Sequence, residues 1–369
     1  MNRSTTKTRS RGFGIVEIMV AMVIALLGMI VIFQVFAISE SYNRTSVSGS
    51  DAQQNGAYSV FVLQEELRQA GWGFNNSQAL GCTVLAYNAA IGAVPAYTLA
   101  PVVINQGPAT GSDSLEINYG SQGLLVAPTA IAANQGSSLD PFPVANPFGF
   151  NLGDTVLAAE TGKSCTLAQI TKQLPLTGSA PLPCVAVSNC VVRTAGGAYP
   201  YNNPGGSGVI YSSNGFLYDL GPSPTRDVFS VVNNQLTVVP SLTSNVLQVV
   251  ADNIVQLKAQ YGHDNGVNNG TVLSGPYTAS DGIVDSYDNV TPATAAAWNQ
   301  LLTVRIGVVA RSAQPEKPSG PGPACDTTTV APTWSGGSFN LSANANWMCY
   351  RYKVFEVVVP IKNILWTQG

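Results

Sequence analysis

The first pattern along the chain is a long apolar run close to the N-terminus. Residues from Ile18 to Phe33 are all apolar, and the run continues past Gln34 to Ile38. As a helix rising about 1.5 Å per residue, this run would span roughly 31 Å, which is one bilayer crossing. The segment before it is basic, which predicts a cytoplasmic N-terminus and places the bulk of the chain on the other side of the membrane.

A helical period follows the apolar run, in the stretch GAYSVFVLQEELRQAGWG. One predicted face is apolar and the other is polar. The apolar face holds Ala57, Val60, Phe61, Leu63, Leu67 and Ala70, and the polar face holds Gln64, Glu65, Arg68 and Gln69. Gly71 and Gly73 end the helix. A single helix from Phe13 to Ala70 would be roughly 87 Å long, so we expect a break in the polar segment 46–56, which contains glycine.

From residue 74 onward, short runs rich in β-branched residues alternate with clusters of Gly, Pro, Asn and Ser. The stretch VVNNQLTVV predicts a hairpin around its Asn pair. The stretch NVLQVVADNIVQLKAQYG fits either a strand followed by a short helix or two strands. Alternation in LLTVRIGVVARS and RYKVFEVVVPIKNI predicts antiparallel strands with one buried face. The predicted fold class is therefore α+β, with a large, mainly antiparallel domain packed on the long N-terminal helix.

Charge and cysteine content indicate which partners and which compartment this domain has. Only 10% of the residues are charged, and four of the 17 bases lie in the first twelve positions, so 13 bases face 20 acids in the remainder. We therefore expect no nucleic-acid partner. The chain has six cysteines and no CxxC pair, which predicts disulfides made in an oxidising space such as a periplasm.

Six cysteines allow 15 pairings, and the sequence does not choose among them. Short loops favour Cys184 with Cys190 and Cys325 with Cys349. The remaining pair is then Cys82 with Cys165.

The sequence offers little for catalysis or metal binding. His263 is the sole histidine and lies in the loop-like stretch YGHDNGVNNG, so we predict that the protein is not an enzyme. The one carboxylate-rich region holds the weak calcium candidates Asp264, Asp281, Asp285 and Asp288. Their spacing departs from the EF-hand loop, and Asx-turn chemistry alone accounts for such residues. We therefore expect no cofactor, with calcium as the open alternative.

One carboxylate, Glu17, stands at the start of the apolar run. An acid within the hydrocarbon costs on the order of 3 kcal/mol. A plain membrane anchor has no use for this residue. A cleaved secretory signal would need a small-residue site after its apolar region, and the local sequence VFAIS is a poor one. A partner charge must therefore offset the cost of Glu17.

The stretch RGFGIVEIMVAMVIALLG resembles the class III signal of type IV pilins and type II secretion pseudopilins. Both have a basic leader ending in Gly, then Phe, then Glu at the fifth mature position, then a long apolar run. The resemblance implies that a prepilin peptidase cuts after Gly12 and that Phe13 becomes the N-methylated first residue. It also implies that Glu17 pairs with the Phe13 ammonium of a neighbouring subunit, so that both charges leave the lipid together during assembly.

Later segments are similar, in order and spacing, to the PilW-type minor pilins of the type IV pilus. These segments are LQEELRQAGWG, VADNIVQLKAQYGHDN, DGIVDSYDN, LLTVRIGVVARS and RYKVFEVVVPIKN. The resemblance is strong over residues 11–73 and weaker over 246–363. No Pro interrupts the apolar helix, Gln34 lies where a Pro is expected in a major pilin, and the outer domain is large for a shaft subunit. The chain therefore resembles a minor rather than a major pilin.

The resemblance implies a subunit that takes part in pilus assembly near the filament tip and contributes to adhesion and twitching motility. Implied partners are other minor pilins, the major pilin, the prepilin peptidase, the inner-membrane assembly platform and a tip adhesin. The implied location is the bacterial inner membrane, and the pilus and cell surface after assembly. Two alternatives stay open: a type II secretion minor pseudopilin, and a surface adhesin or binding protein that uses the pilin signal for export.

The predicted organisation has three parts. Residues 1–12 form a cleaved leader, 13–73 form the N-terminal helix, and 74–369 form the outer domain. The helix is membrane-spanning to about residue 38 and amphipathic to about residue 70. Within the outer domain we expect an inserted subdomain over 76–245 and a pilin-like core over 246–369.

Overall fold

The computed structural model describes most of the chain. The described residues are 12, 14–74, 79–123, 127–172, 184, 189–194, 199–264, 267–268, 271–272, 282–318, 320, 322, 324–344 and 346–365. The chain divides into two compact units, Met1–Asp51 and Ala52–Gly369. Each unit is described by itself.

One long helix, α1, runs from Ile15 to Gln69. The break expected over residues 46–56 is wrong, because the helix continues through the whole segment. Gly56 has a different role from helix breaking. A Cβ added at Gly56 would overlap the ring of Phe355, so the glycine allows a strand of the domain to approach the helix closely.

The buried face of the second half of α1 is rotated from the predicted one. Leu63, Leu67 and Ala70 are fully buried as expected. Ala57 and Phe61 are exposed, so their predicted burial is wrong. The buried column continues instead through Ser59, Gly56 and Ala52. These small residues allow close packing but give no hydrophobic signal in a sequence.

The strands of the domain are short and mostly antiparallel. Their bounds are β1 Thr83–Asn88, β2 Gly92–Thr98, β3 Val102–Asn105, β4 Ser114–Tyr119, β5 Thr129–Ala130, β6 Phe142–Pro143, β7 Thr155–Ala159, β8 Cys165–Gln169, β9 Cys190–Val191, β10 Phe216–Asp219, β11 Thr225–Val232, β12 Gln235–Pro240, β13 Gln248–Asp252, β14 Ile254–His263, β15 Val267–Asn268, β16 Thr271–Val272, β17 Ser286–Asp288, β18 Leu301–Arg311, β19 Thr333–Trp334, β20 Gly337–Ser338 and β21 Tyr352–Pro360. Two short helices, α2 Ala295–Asn299 and α3 Lys362–Leu365, and a 3₁₀ turn over Trp347–Cys349 complete the described elements.

Three sheets contain most of these strands. Their orders are β2-β1-β8-β7-β10-β5, β13-β12-β11-β4-β3 and β17-β14-β18-β21. Among the described pairs, β1 with β8 is parallel and the others are antiparallel. With α1, these sheets confirm the α+β class.

Asparagines with positive φ shape two connections in the sheets. Asn233 and Asn234, with φ of 52° and 60°, form the turn between β11 and β12, which confirms the predicted hairpin. Asn253, with φ of 59°, separates β13 from β14. Because β13 belongs to the five-stranded sheet and β14 to the four-stranded one, the stretch 245–262 forms two strands rather than a strand and a helix.

One large core joins α1 to all three sheets. Its members include Leu63 and Leu67 of α1, Phe229 of β11, Ile306 of β18 and Leu157 of β7. A second cluster covers the opposite face of the six-stranded sheet. A third lies under the long connection from β18 to β21. The core therefore fixes the second half of α1 as part of the folded domain.

Candidate functional site

The predicted processing segment lies at the start of α1. Gly12 precedes the helix, and the Gly14 carbonyl accepts the first helical hydrogen bond from the Ile18 N–H at 3.2 Å. Glu17 lies in the first helical turn and is exposed. A carboxylate is favourable there because the first N–H groups of a helix carry a partial positive charge. Phe13 lies outside the described residues.

The segment Ile15–Glu40 is long and apolar enough to cross a membrane, with a mean hydropathy of 2.9. At about 1.5 Å per residue its 26 residues reach about 39 Å, more than a hydrocarbon core of roughly 30 Å. Within its own unit, the large apolar side chains of this segment are 46–80% exposed. Such a surface needs lipid or other apolar helices around it.

The C-terminal end of α1 is closed by polar contacts with the domain. Asn363 of α3 donates through Nδ2 to the Gln69 carbonyl at 3.1 Å and to the Ala70 carbonyl at 2.9 Å. These bonds satisfy carbonyls that a helix terminus otherwise leaves unpaired. Sequence reasoning missed Asn363, because a single amide near the chain end does not indicate which distant carbonyl it binds.

The side of α1 that faces the five-stranded sheet carries an acid. Tyr119 donates through Oη to Glu66 Oε2 at 2.8 Å. Burial, and then the nearby Glu66 carboxylate, raise the pKa of Asp227 on β11 to about 6. The contact between the helix and the sheet therefore has an apolar centre and, at its edge, the carboxyl groups of Glu66 and Asp227.

The carboxylate-rich region lies where β14 and β17 pair. Asp264 is buried and accepts a hydrogen bond from the Gly282 N–H at 2.8 Å. Asp288 lies 3.5 Å from His263 Nε2, and the Asp285 N–H donates to the His263 carbonyl at 2.9 Å. Asp281 lies outside the described residues. In the described part of the chain, no group of three His, Cys, Asp or Glu residues is placed to hold a metal ion.

Three disulfides are present. Cys82 pairs with Cys165 at a Cα separation of 5.9 Å and joins the starts of the parallel strands β1 and β8. Cys184 pairs with Cys190 at 6.0 Å. Cys325 pairs with Cys349 at 4.8 Å and closes a loop within the β18–β21 connection. Each bridge therefore fixes an irregular segment to a strand or a short turn.

Two family models match the chain. The prokaryotic N-terminal methylation motif matches residues 7–33, and the type IV pilus-assembly protein W family, PilW, matches residues 230–363. No curated protein and no solved structure matches it. The PilW match covers the end of β11, all strands from β12 to β21 and the start of α3, and therefore contains the whole four-stranded sheet.

The chain has a methylation motif at the start of a long apolar helix and a β-rich domain packed on that helix. This combination defines a pilin-class protein. Within this class, the two matches together support a PilW-type minor pilin of the type IV pilus, a protein that takes part in pilus assembly. Domains of this class are structural rather than enzymatic. The class also implies pilin partners, a prepilin peptidase and an inner-membrane anchor.

Proposed function

We propose that this minor pilin is inserted in the bacterial inner membrane with its N-terminus in the cytoplasm, is cut after Gly12 and N-methylated at Phe13, and then joins the pilus near its tip. There it primes polymerisation and presents its large outer domain at the cell surface. The main support is Glu17, a carboxylate in the first turn of an otherwise apolar membrane helix. Such an acid is costly in lipid and so favours a state in which it is paired.

The pairing partner in this proposal is the Phe13 ammonium of an adjacent subunit. In a monomer, no neighbouring subunit offsets the cost of the Glu17 carboxylate in the membrane. In a filament, the two charges leave the lipid together, and only one axial register brings them into contact. Because breaking a desolvated pair costs several kcal/mol, the pair opposes misaligned stacking.

The proposed partners are other minor pilins, the major pilin, the inner-membrane assembly platform and a tip adhesin. We propose a structural role without catalysis or a cofactor. His263, the single histidine, contacts a carboxylate and the ring of Tyr261, and the residues around it form a strand pairing. We further propose that residues 76–245 form an inserted subdomain and that 246–369 form the pilin-like core.

The experiment compares Glu17→Ala, Glu17→Gln and a control, Glu40→Ala, at equal protein levels. Glu40 is the acid at the far end of the same apolar segment. All three variants should insert in the membrane and be cut after Gly12, which mass spectrometry of the mature N-terminus checks. Glu17→Ala should reduce co-purification with other minor pilins and pilus number per cell, Glu17→Gln should be no worse, and Glu40→Ala should match wild type.

Two results would contradict the proposal. Normal piliation by Glu17→Ala would remove any assembly role for the carboxylate. A mature N-terminus other than Phe13, especially one after residue 38, would remove the processing on which the pairing depends.

A further inference from the structure

A cavity of about 370 Å³ lies on the face of the four-stranded sheet that points away from the main core. It is lined by one indole ring, several amide side chains, an ion pair and glycine backbone: Gln106, Gly107, Ala109, Asp113, Lys258, Ala259, Gln260, Asn289, Trp334, Gly336 and Ser338. Its volume is at the lower end of the range for small-molecule sites. The cavity suits a compact ligand rather than a large cofactor.

Trp334 is held rigidly at this cavity. A Cβ added at Gly307 of β18 or at Gly336 would overlap the indole, so backbone packs directly against the ring. The Phe339 ring centroid lies 5.9 Å from that of Trp334. The Arg305 guanidinium lies 5.4 Å from the Trp334 centroid and 4.1 Å from that of Tyr287. A ring fixed on several sides can accept a ligand without losing further conformational entropy.

The polar wall of the cavity is also fixed in place. The buried Asp113 carboxylate accepts from the Gly107 N–H at 3.0 Å, the Ala259 N–H at 3.1 Å and Lys258 Nζ at 2.8 Å. The Lys258 charge is therefore neutralised, while its ammonium retains further N–H donors. Two of these bonds join the segment before β4 to strand β14, and the third closes the β3–β4 connection on itself, so the wall is a preformed part of the fold.

Gln260 has a defined orientation at the cavity. Arg305 donates to Gln260 Oε1. No described residue accepts from Gln260 Nε2, so this amide N–H group is the one that can donate to a ligand. Gln106 donates through Nε2 to the Asn289 carbonyl, which leaves its Oε1 as an acceptor. The cavity therefore offers at least one fixed donor and one fixed acceptor beside a fixed aromatic ring.

These groups select the chemical class of the ligand. A purely apolar ligand would desolvate the amides and the ion pair without replacing their hydrogen bonds. The paired charges favour neither a strong anion nor a strong cation. A pyranose ring has an apolar face of C–H groups that can stack on indole and hydroxyls at its edge that both donate and accept. It therefore satisfies both parts of the lining.

We propose that this cavity is a saccharide-binding site, in which a sugar ring stacks on Trp334 and its hydroxyls bond to Gln260, Gln106 and Lys258. A larger groove of about 740 Å³ lies between β1, residues 160–164 and α2, but its described lining contains no aromatic residue. Of these two cavities, the smaller one has an aromatic ring on which a sugar can stack. The site is independent of the proposed role of Glu17.

The test uses the full-length chain in lipid nanodiscs or in a detergent without a sugar headgroup. The probes are methyl pyranosides of glucose, galactose, mannose and N-acetylglucosamine, measured by saturation-transfer difference NMR and by tryptophan fluorescence. At least one probe should bind saturably. Trp334→Leu should weaken its binding at least tenfold, and the control Trp347→Leu, in the same connection but outside the cavity, should not.

Gln106→Ala provides the second measurement, because Gln106 is exposed and its removal leaves the core intact. This variant should keep the wild-type melting temperature and weaken binding severalfold. If Trp334→Leu lowers the melting temperature, the Gln106→Ala result decides. Failure of every probe to bind the wild-type chain would overturn the proposal, as would binding that Gln106→Ala leaves unchanged.

Discussion

The contact between Gly56 and Phe355 predicts that Gly56→Ala destabilises the wild-type protein but stabilises a variant that lacks the Phe355 ring. Gly56→Ala puts a methyl group into the space of the Phe355 ring. Overpacking of this kind costs about 1–3 kcal/mol. Alanine also favours the helix over glycine by about 1 kcal/mol. We therefore expect a net loss of about 1 kcal/mol in the free energy of unfolding.

In a Phe355→Ala background the steric cost disappears and the helix propensity remains. Gly56→Ala should then stabilise the protein by about 1 kcal/mol, so the two positions should show a coupling energy of about 2 kcal/mol. The control is Ala57→Gly, on the exposed side of the same helical turn. It should cost about 1 kcal/mol in both backgrounds, since it reports helix propensity alone.

The assay is urea unfolding of the full-length chain in detergent, followed by tryptophan fluorescence. The six proteins are wild type, Gly56→Ala and Ala57→Gly, each with and without Phe355→Ala. Midpoints are compared at constant slope, because a changed slope would indicate a different unfolding transition. If Gly56→Ala has the same effect in both backgrounds, close approach of the strand is not the reason for this glycine.

Three further predictions concern the domain. Burial, and then the neighbouring Asp154, raise the pKa of Asp219 from 3.8 to about 6, so its contribution to stability is full below about pH 4 and is lost as the pH rises through 6. Between pH 4 and 7, the free energy of unfolding of Asp219→Asn should therefore fall by on the order of 2–3 kcal/mol less than that of wild type. Urea unfolding that finds the same pH dependence in both proteins would contradict this. Replacing Cys325 and Cys349 by Ser should lower the free energy of unfolding by roughly 3 kcal/mol, and peptide mapping that finds all six thiols free in wild type would refute the disulfides. A calcium chelator should leave the melting temperature unchanged, and a rise on adding millimolar calcium would show that the protein binds calcium and would contradict the expectation of no cofactor.

The sequence predicted those features whose signal is local. The apolar run over 18–38 and the hairpin at the Asn pair were each predicted from neighbouring residues, and the structure has a membrane-length helix over Ile15–Glu40 and the β11–β12 hairpin. The buried face of α1 was predicted only in part, because hydrophobic periodicity selected Phe61 over the small residue Ser59. Which column is buried depends on the surface that the helix packs against. That surface is formed by residues distant in sequence.

The candidate sites also divide into those with a local sequence signal and those formed by residues distant in sequence. Gly12 and Glu17 could be predicted as site residues because the signal for processing is a short contiguous motif, and the methylation motif matches residues 7–33. The cavity at Trp334 could not be found, because Gln106, Lys258 and Trp334 come from three separate parts of the chain and only the fold brings them together. Asp113 gives no sequence signal either, although it fixes one wall of that cavity through three hydrogen bonds.

The contacts of Asn363 with the end of α1 set an order of events during synthesis and export. They join residues 293 and 294 positions apart, and Lys353 reaches Gln53 across 300 positions. Contacts of such sequence separation form late, because most of the chain must be present before they can close. The helix is synthesised before the strands, yet the surface of its second half cannot be covered until the last strand is present. A truncated chain would therefore keep an open helix surface, and only a chain with its last strand would offer a closed one to the assembling pilus.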